Sequence, residues 1–203
     1  MNIKVWIDPI CPWCWMTARW LTEVVQPQRD LTITWKPISL LLKNQPAPDV
    51  DYYDNVMHTH KLLRVFESIE AVDGNEAAFR FYRQAGQHIH QDDDRFVDPT
   101  TLLAEAGLDP SHAAAFDDES WDAIIKDEMN EGLALVGNDV GTPIIGFEDE
   151  AGDVGVFGPV ISRLLQGDEG LAVWDAVNTL ARTPGFWELK RTRTAEPDFV
   201  SLP

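Results

Sequence analysis

The chain is 203 residues long, with 44% apolar and 25% charged residues and with 8 Trp and 9 Phe, the make-up of one globular unit with its own hydrophobic core rather than a tail or linker. Its 16 basic and 34 acidic residues leave a formal charge of -18, so the average surface repels a polyanion and nucleic acid is excluded as an expected partner. No apolar run reaches the roughly 20 residues of a membrane span, Met1 to Pro9 have neither the basic nor the apolar region of a signal peptide, and the expected location is the cytoplasm, with no membrane partner.

Ile3-Lys4-Val5-Trp6-Ile7 is a β-rich run stopped by Asp8-Pro9, and Leu31-Thr32-Ile33-Thr34-Trp35 alternates at period two, so both predict strands. Between them Trp13, Thr17, Trp20, Leu21, Val24 and Val25 recur every three or four residues up to Gln26-Pro27, which predicts an amphipathic helix with a stop. From about Asp51 to about Val136 the pattern is helical, four or five short helices, with Asp98-Pro99 opening one of them and Gly107 closing it. Strand signals return at Pro143–Phe147 and Val154–Phe157, joined as a hairpin by the acidic turn Glu148 to Asp153, and a last helix runs near Leu171 to Ala181. The order β-α-β, helical block, β-β-α predicts an α/β thioredoxin fold with an inserted all-helical subdomain. The expected division is 1–42 with 137–203 for the thioredoxin-like part and 43–136 for the insertion. Trp6, Trp20, Trp35 and the other tryptophans outside the cysteine motif are expected in the core.

The chain has only two cysteines, in Cys11-Pro12-Trp13-Cys14, directly after the first strand and at the start of a helix. There the unpaired N–H groups and the helix dipole favour a thiolate at Cys11, which marks it as the nucleophile. Cys14, one turn further on, is placed to attack a mixed disulfide on Cys11 and release the second product. Pro12 suits a first helical turn, since it has no N–H to leave unpaired. Trp13 offers a flat apolar face beside the sulfur on which a planar substrate can stack. Thr142-Pro143 opens the returning strand, and together with the cysteine pair it matches a cis-proline set opposite the active cysteines, Thr142 offering backbone groups to the substrate. Two zinc-site halves were also available: His58-Thr59-His60 and His88-Ile89-His90 could complete a two-cysteine, two-histidine set, but histidines two apart on a helix point to different faces, and no metal is expected. Lys190, Arg191 and Arg193 form the one dense basic cluster, read as a solvated terminal face with a lesser claim to substrate binding. Asp8 divides between proton relay and a capping or turn role before the helix.

Asp8-Pro9-Ile10-Cys11-Pro12-Trp13-Cys14-Trp15, Val140-Gly141-Thr142-Pro143, Phe157-Gly158-Pro159 and Glu188-Leu189-Lys190-Arg191-Thr192-Arg193-Thr194 together resemble the DsbA-like thioredoxin-fold family, in particular its actinobacterial mycothiol-dependent nitroreductase branch. The resemblance runs nearly end to end. It implies a reductase of disulfides or nitroaromatic compounds with no tightly bound cofactor, drawing electrons from a low-molecular-weight thiol, mycothiol. Carried over, it makes Cys11 and Cys14 the redox pair, Trp13 a pocket wall and Pro143 the cis-proline, with Asn44, one of Tyr52 or Tyr53, and His90 as further pocket residues. The alternatives are a thiol-dependent isomerase of the 2-hydroxychromene-2-carboxylate type, which shares the fold but usually has serine at the Cys11 position, and a zinc-stabilised or chaperone-like module. Oligomeric state is left open.

Overall fold

The computed structural model describes residues 1–149 and 152–199, so Glu150 and Ala151 of the expected acidic turn lie outside the described residues. Strand β1 (Asn2–Ile7) is followed by helix α1 (Pro12–Trp20), strand β2 (Thr32–Pro37) and the short helix α2 (Leu40–Asn44). Helices α3 (Tyr53–Asp73), α4 (Asn75–His90), α5 (Pro99–Ala106) and α6 (Asp122–Val136) come next, then β3 (Ile144–Phe147), β4 (Val154–Phe157) and α7 (Gly167–Ala181). The sheet order is β2-β1-β3-β4, with β1 parallel to β2 and antiparallel to β3, and β3 antiparallel to β4. This is the expected β-α-β and β-β-α layout on one sheet, with a run of helices between the two halves.

Strand alternation sorts the core into two faces. Ile3, Val5 and Ile7 point into the larger core with Trp15, Trp20, Phe81 and Tyr82, whereas Trp6 and Ile144 pack with Met129 and Leu133 of α6 on the other side. Trp6, Trp20 and Trp35 are buried as expected, but Trp187 is 90% exposed, because it follows the end of α7 on a segment that no strand or helix holds.

The helices depart from expectation in two ways. The first expected helix is α-helical only to Trp20 and continues as a π turn over Leu21–Val25 and a 3₁₀ turn over Gln26–Gln28. The Thr22 hydroxyl donates back to Ala18 O at 2.9 Å, competing with the regular ladder, and Pro27 has no N–H to donate. The helices of the middle block are not all short. Residues 53–73 contain no Gly or Pro, so α3 runs 21 residues to Gly74, and α4 adds 16 at once. Asp98 caps α5 by accepting from Thr100 N, and Gly107 ends it at φ 66, as expected.

Helix α4 lies across α1 at very short range. A Cβ on Gly86 would sit 2.3 Å from Trp15 Cε3, so this position admits only glycine unless the indole shifts. That approach brings the buried stripe Phe81, Tyr82, Ala85 and Ile89 of α4 onto the back of the cysteine motif.

Candidate active site

Cys11 is the N-cap of α1, in extended conformation, with no side-chain capping bond of its own, and Pro12 occupies the first helical position. The first turn of α1 therefore opens onto the Cys11 sulfur, which is 5% exposed, while Cys14 is fully buried. Both are free thiols. Thr142 joins them: Cys11 Sγ donates to Thr142 O at 3.4 Å, and Cys14 Sγ lies 3.0 Å from Thr142 Oγ1. Thr142-Pro143 is cis, as expected from sequence, and so is Gly158-Pro159. Pro159 O accepts from the Thr17 hydroxyl of α1 at 2.8 Å, and Gly158 N donates to Pro143 O at 2.8 Å. The Phe157-Gly158-Pro159 motif thus braces the Thr142-Pro143 turn against α1.

Burial pushes the Cys14 thiol well up, and the neighbouring Cys11 pushes it further. Asp8 is fully buried, and burial lifts its carboxyl to about 6 against hydrogen bonds from Leu40 N–H, Ile10 N–H and the Thr59 side chain. Asp8 Oδ2 accepts from Leu40 N at 2.7 Å and Oδ1 from Ile10 N at 3.0 Å, while its carbonyl accepts from Cys11 N at 3.0 Å. The turn role expected for Asp8 before the helix is therefore present, with no side-chain capping bond to α1, and the carboxylate also ties the end of β1 to the start of α2.

His90 reaches the motif from α4. Its Nε2 lies 2.8 Å from Pro9 O, and its ring stacks between Trp15 (centroids 6.4 Å) and Phe199 (5.3 Å). Burial lowers its pKa to about 4, so at neutral pH it is an uncharged donor to Pro9 rather than a cation facing the thiols. The histidine pairs disperse as helical geometry requires: His58 lies against Val97 O, His60 bridges Ser39 and Asp122, and His88 meets Glu105.

Trp13 is half-buried, and the Arg193 guanidinium stands 5.3 Å over its ring. One member of the basic cluster, while still exposed, therefore also lies over the aromatic face of the cysteine motif. Asn44 ends α2 and is exposed, Tyr52 is 48% exposed at the N-cap of α3, and Tyr53 beside it is half-buried. Among the described residues no hydrogen bond or ring contact joins these three to the cysteines or Trp13. The residue that sequence reading passed over is Tyr82, fully buried on α4 with its ring between Trp15 and Phe79, where burial pushes its hydroxyl well up. In sequence it is one more apolar-face position of an amphipathic helix, and only the crossing of α1 and α4 reveals its neighbours.

Solved structures share this architecture. Cytosolic disulfide reductase DsbM from Pseudomonas aeruginosa is 18% identical, with 89% of this chain and 100% of that chain covered at a TM-score of 0.59. DsbA from Chlamydia trachomatis is 14% identical over 90% and 88% at 0.55, and a 2-hydroxychromene-2-carboxylate isomerase is 14% identical over 90% and 97% at 0.60. At these identities the likeness establishes the DsbA-like thioredoxin fold, which disulfide oxidoreductases and an isomerase have in common. What separates them is sequence, and there the model of a single family, described as mycothiol-dependent nitroreductase Rv2466c, matches residues 10–191, from just before Cys11 to the basic cluster. The chain belongs to this family of oxidoreductases.

Proposed function

We propose that the protein is a cytoplasmic, mycothiol-dependent reductase of disulfides and nitroaromatic compounds that works through the Cys11–Cys14 dithiol. The observation that carries the reading is the placement of Cys11 at the open end of α1, with Cys14 one turn behind it and Thr142 bonded to both. On a disulfide substrate the Cys11 thiolate attacks one sulfur and expels the other half as a thiolate. Cys14 then attacks Cys11 Sγ, the enzyme disulfide forms, and the second half leaves as a thiol. Two mycothiol molecules restore the dithiol and depart as their own disulfide. A solved complex of DsbM with GSH supports use of a small thiol on this fold. No helix among the described residues is long and apolar enough to cross a membrane.

In this reading residues 1–42 and 137–203 form the thioredoxin-like part that holds the dithiol, and 43–136 the helical cover. Trp13 is the pocket wall, Thr142 and Pro143 face the bound sulfur, and Asn44 with Tyr52 or Tyr53 supplies polar groups at the mouth. His90 acts one step back, by holding Pro9. The isomerase alternative retains only the shared fold, since both cysteines are in place.

The test compares donors. Reduced protein is assayed on a disulfide and on a nitroaromatic with mycothiol, glutathione or thioredoxin as the reductant. Mycothiol is expected to sustain many turnovers on both substrates and the other two not. Equal support by all three overturns the donor assignment, and no turnover with any of them overturns the reductase reading.

Arg193 gives a second check. A guanidinium over an aromatic face at an accessible site holds it about two- to fivefold. If a flat substrate uses the same face of Trp13, Arg193→Ala should lower KM for a nitroaromatic by that factor and leave KM for a small flexible disulfide unchanged. Equal KM values for the nitroaromatic in variant and parent would place its binding elsewhere.

A further inference from the structure

Apart from the dithiol, the fold holds a second concave site. Trp15 and Arg19 of α1, Glu23 just after it, Arg80 and Arg83 of α4 and Glu105 of α5 line a cleft of about 530 Å³, the size of a small-molecule site. None of Cys11, Cys14, Trp13, Thr142 and Pro143 belongs to its lining. In a chain with 16 basic and 34 acidic residues, the cleft gathers three arginines against two carboxylates.

Two of these side chains carry N–H groups with no acceptor. Trp15 Nε1 and Arg19 Nη1 are buried without a hydrogen-bond partner, on residues that are 3% and 7% exposed. Glu23 fixes how Arg19 is turned, since its carboxylate takes Nε at 3.1 Å and Nη2 at 3.3 Å. A guanidinium is planar, so holding that edge leaves Nη1 on the side facing away from Glu23. The guanidinium carbon stands 5.9 Å over the Trp15 ring, the ring that carries the other unpaired N–H. Buried donors without an acceptor destabilise the resting protein.

The rest of the cleft repeats the imbalance. Arg80 and Arg83 are exposed. Arg80 spends only Nε, on Ala106 O at 3.4 Å, and Arg83 Nη2 stands 3.9 Å from Glu23, beyond hydrogen-bond distance. Both carboxylates are already engaged, Glu23 by Arg19 and Glu105 by His88 at 2.8 Å. What the site lacks is an acceptor with negative charge. We infer that this cleft between α1 and α4 binds a small molecule through a carboxylate or phosphate group, whose oxygens take the free hydrogens of Trp15 and Arg19 while Arg80 and Arg83 meet its charge from the rim. Forked guanidinium donors match the oxygen spacing of either group. The site is independent of the dithiol reading.

The assigned indole N–H resonance of Trp15 in ¹H–¹⁵N correlation spectra of the full chain reports on the floor of the cleft. Sodium phosphate and sodium acetate are titrated in separately, with sodium chloride as the control at equal ionic strength. The resonance is expected to move downfield and saturate, with half-saturation at about 1 mM or below for the preferred anion. Arg80→Gln and Arg83→Gln change exposed side chains, and each is expected to raise the half-saturating concentration about five- to tenfold. Saturation by only one of phosphate and acetate supports the inference and identifies the group that the cleft takes. A Trp15 resonance that stays in place with both anions, or moves equally with chloride, overturns it. So does a half-saturating concentration that neither variant changes.

Discussion

Cys11→Ser is expected to bring turnover of both substrate classes down to the uncatalysed background, whereas Cys14→Ser is expected to stall after one half-reaction with substrate joined to Cys11. The asymmetry comes from position. Cys11 stands at the open end of α1 and keeps 5% of its surface exposed, while Cys14 is fully enclosed, and its thiol is pushed up by burial and by Cys11. An incoming disulfide therefore meets Cys11, and Cys14 reaches only what Cys11 brings to it. Intact-mass measurement of Cys14→Ser after exposure to a disulfide should show one added substrate half per chain. Turnover of Cys14→Ser at the parent rate would mean that a second external thiol resolves the adduct, and Cys14 would lose its assigned part.

The second large effect concerns stability. Glu67 on α3 is buried, one of its carboxylate oxygens has no partner, and burial together with Glu70 and Glu128 raises its pKa from 4.5 to about 8, Lys36 offsetting part of this. Between those two values the native protein keeps a proton that the unfolded chain has released. Stability therefore falls as pH rises through that window, and the loss is complete above about 8. At 1.36 kcal/mol per unit the full loss is about 4 to 5 kcal/mol. Glu67→Gln removes the titration. Its Tm should match the parent near pH 4.5 and exceed it by roughly 10 °C at pH 9, read by thermal melts across the range. A Tm difference that stays constant with pH would show that Glu67 ionises freely in the fold.

Much of this architecture was legible because its signals are local. The strand at Ile3–Ile7, the proline behind Cys11, the cap at Asp98 and the glycine at 107 each act within a turn or a strand of themselves. The cysteine motif was equally legible, since a helix start is a local event and the sulfur at that start inherits its chemistry. What escaped depends on which distant segments meet. Arg193 over Trp13 spans 180 positions and has no periodic signature, and Trp187 is outside the core because nothing among the described residues returns to cover it. Tyr82 reads as core, which it is, and only the crossing of two helices sets its ring against Trp15 of the cysteine motif. The π turn after Trp20 was hidden for a different reason, since apolar spacing records which residues are buried and not how the backbone bonds are routed.

The contact between Gly86 and Trp15 also limits how such proteins can be recombined. The helical block looks like a cassette, entering after one strand and leaving before another, yet its helix α4 is cut to the shape of an indole that belongs to the redox half. A block borrowed from a relative with even alanine at that position would be held off by the width of a methyl group. Tyr82 and His90 sit on the same helix, so the displacement would reach them as well. The two halves of the chain must be inherited as a matched pair, and a chimera made at the loop boundaries should work only when residues 15 and 86 come from the same parent.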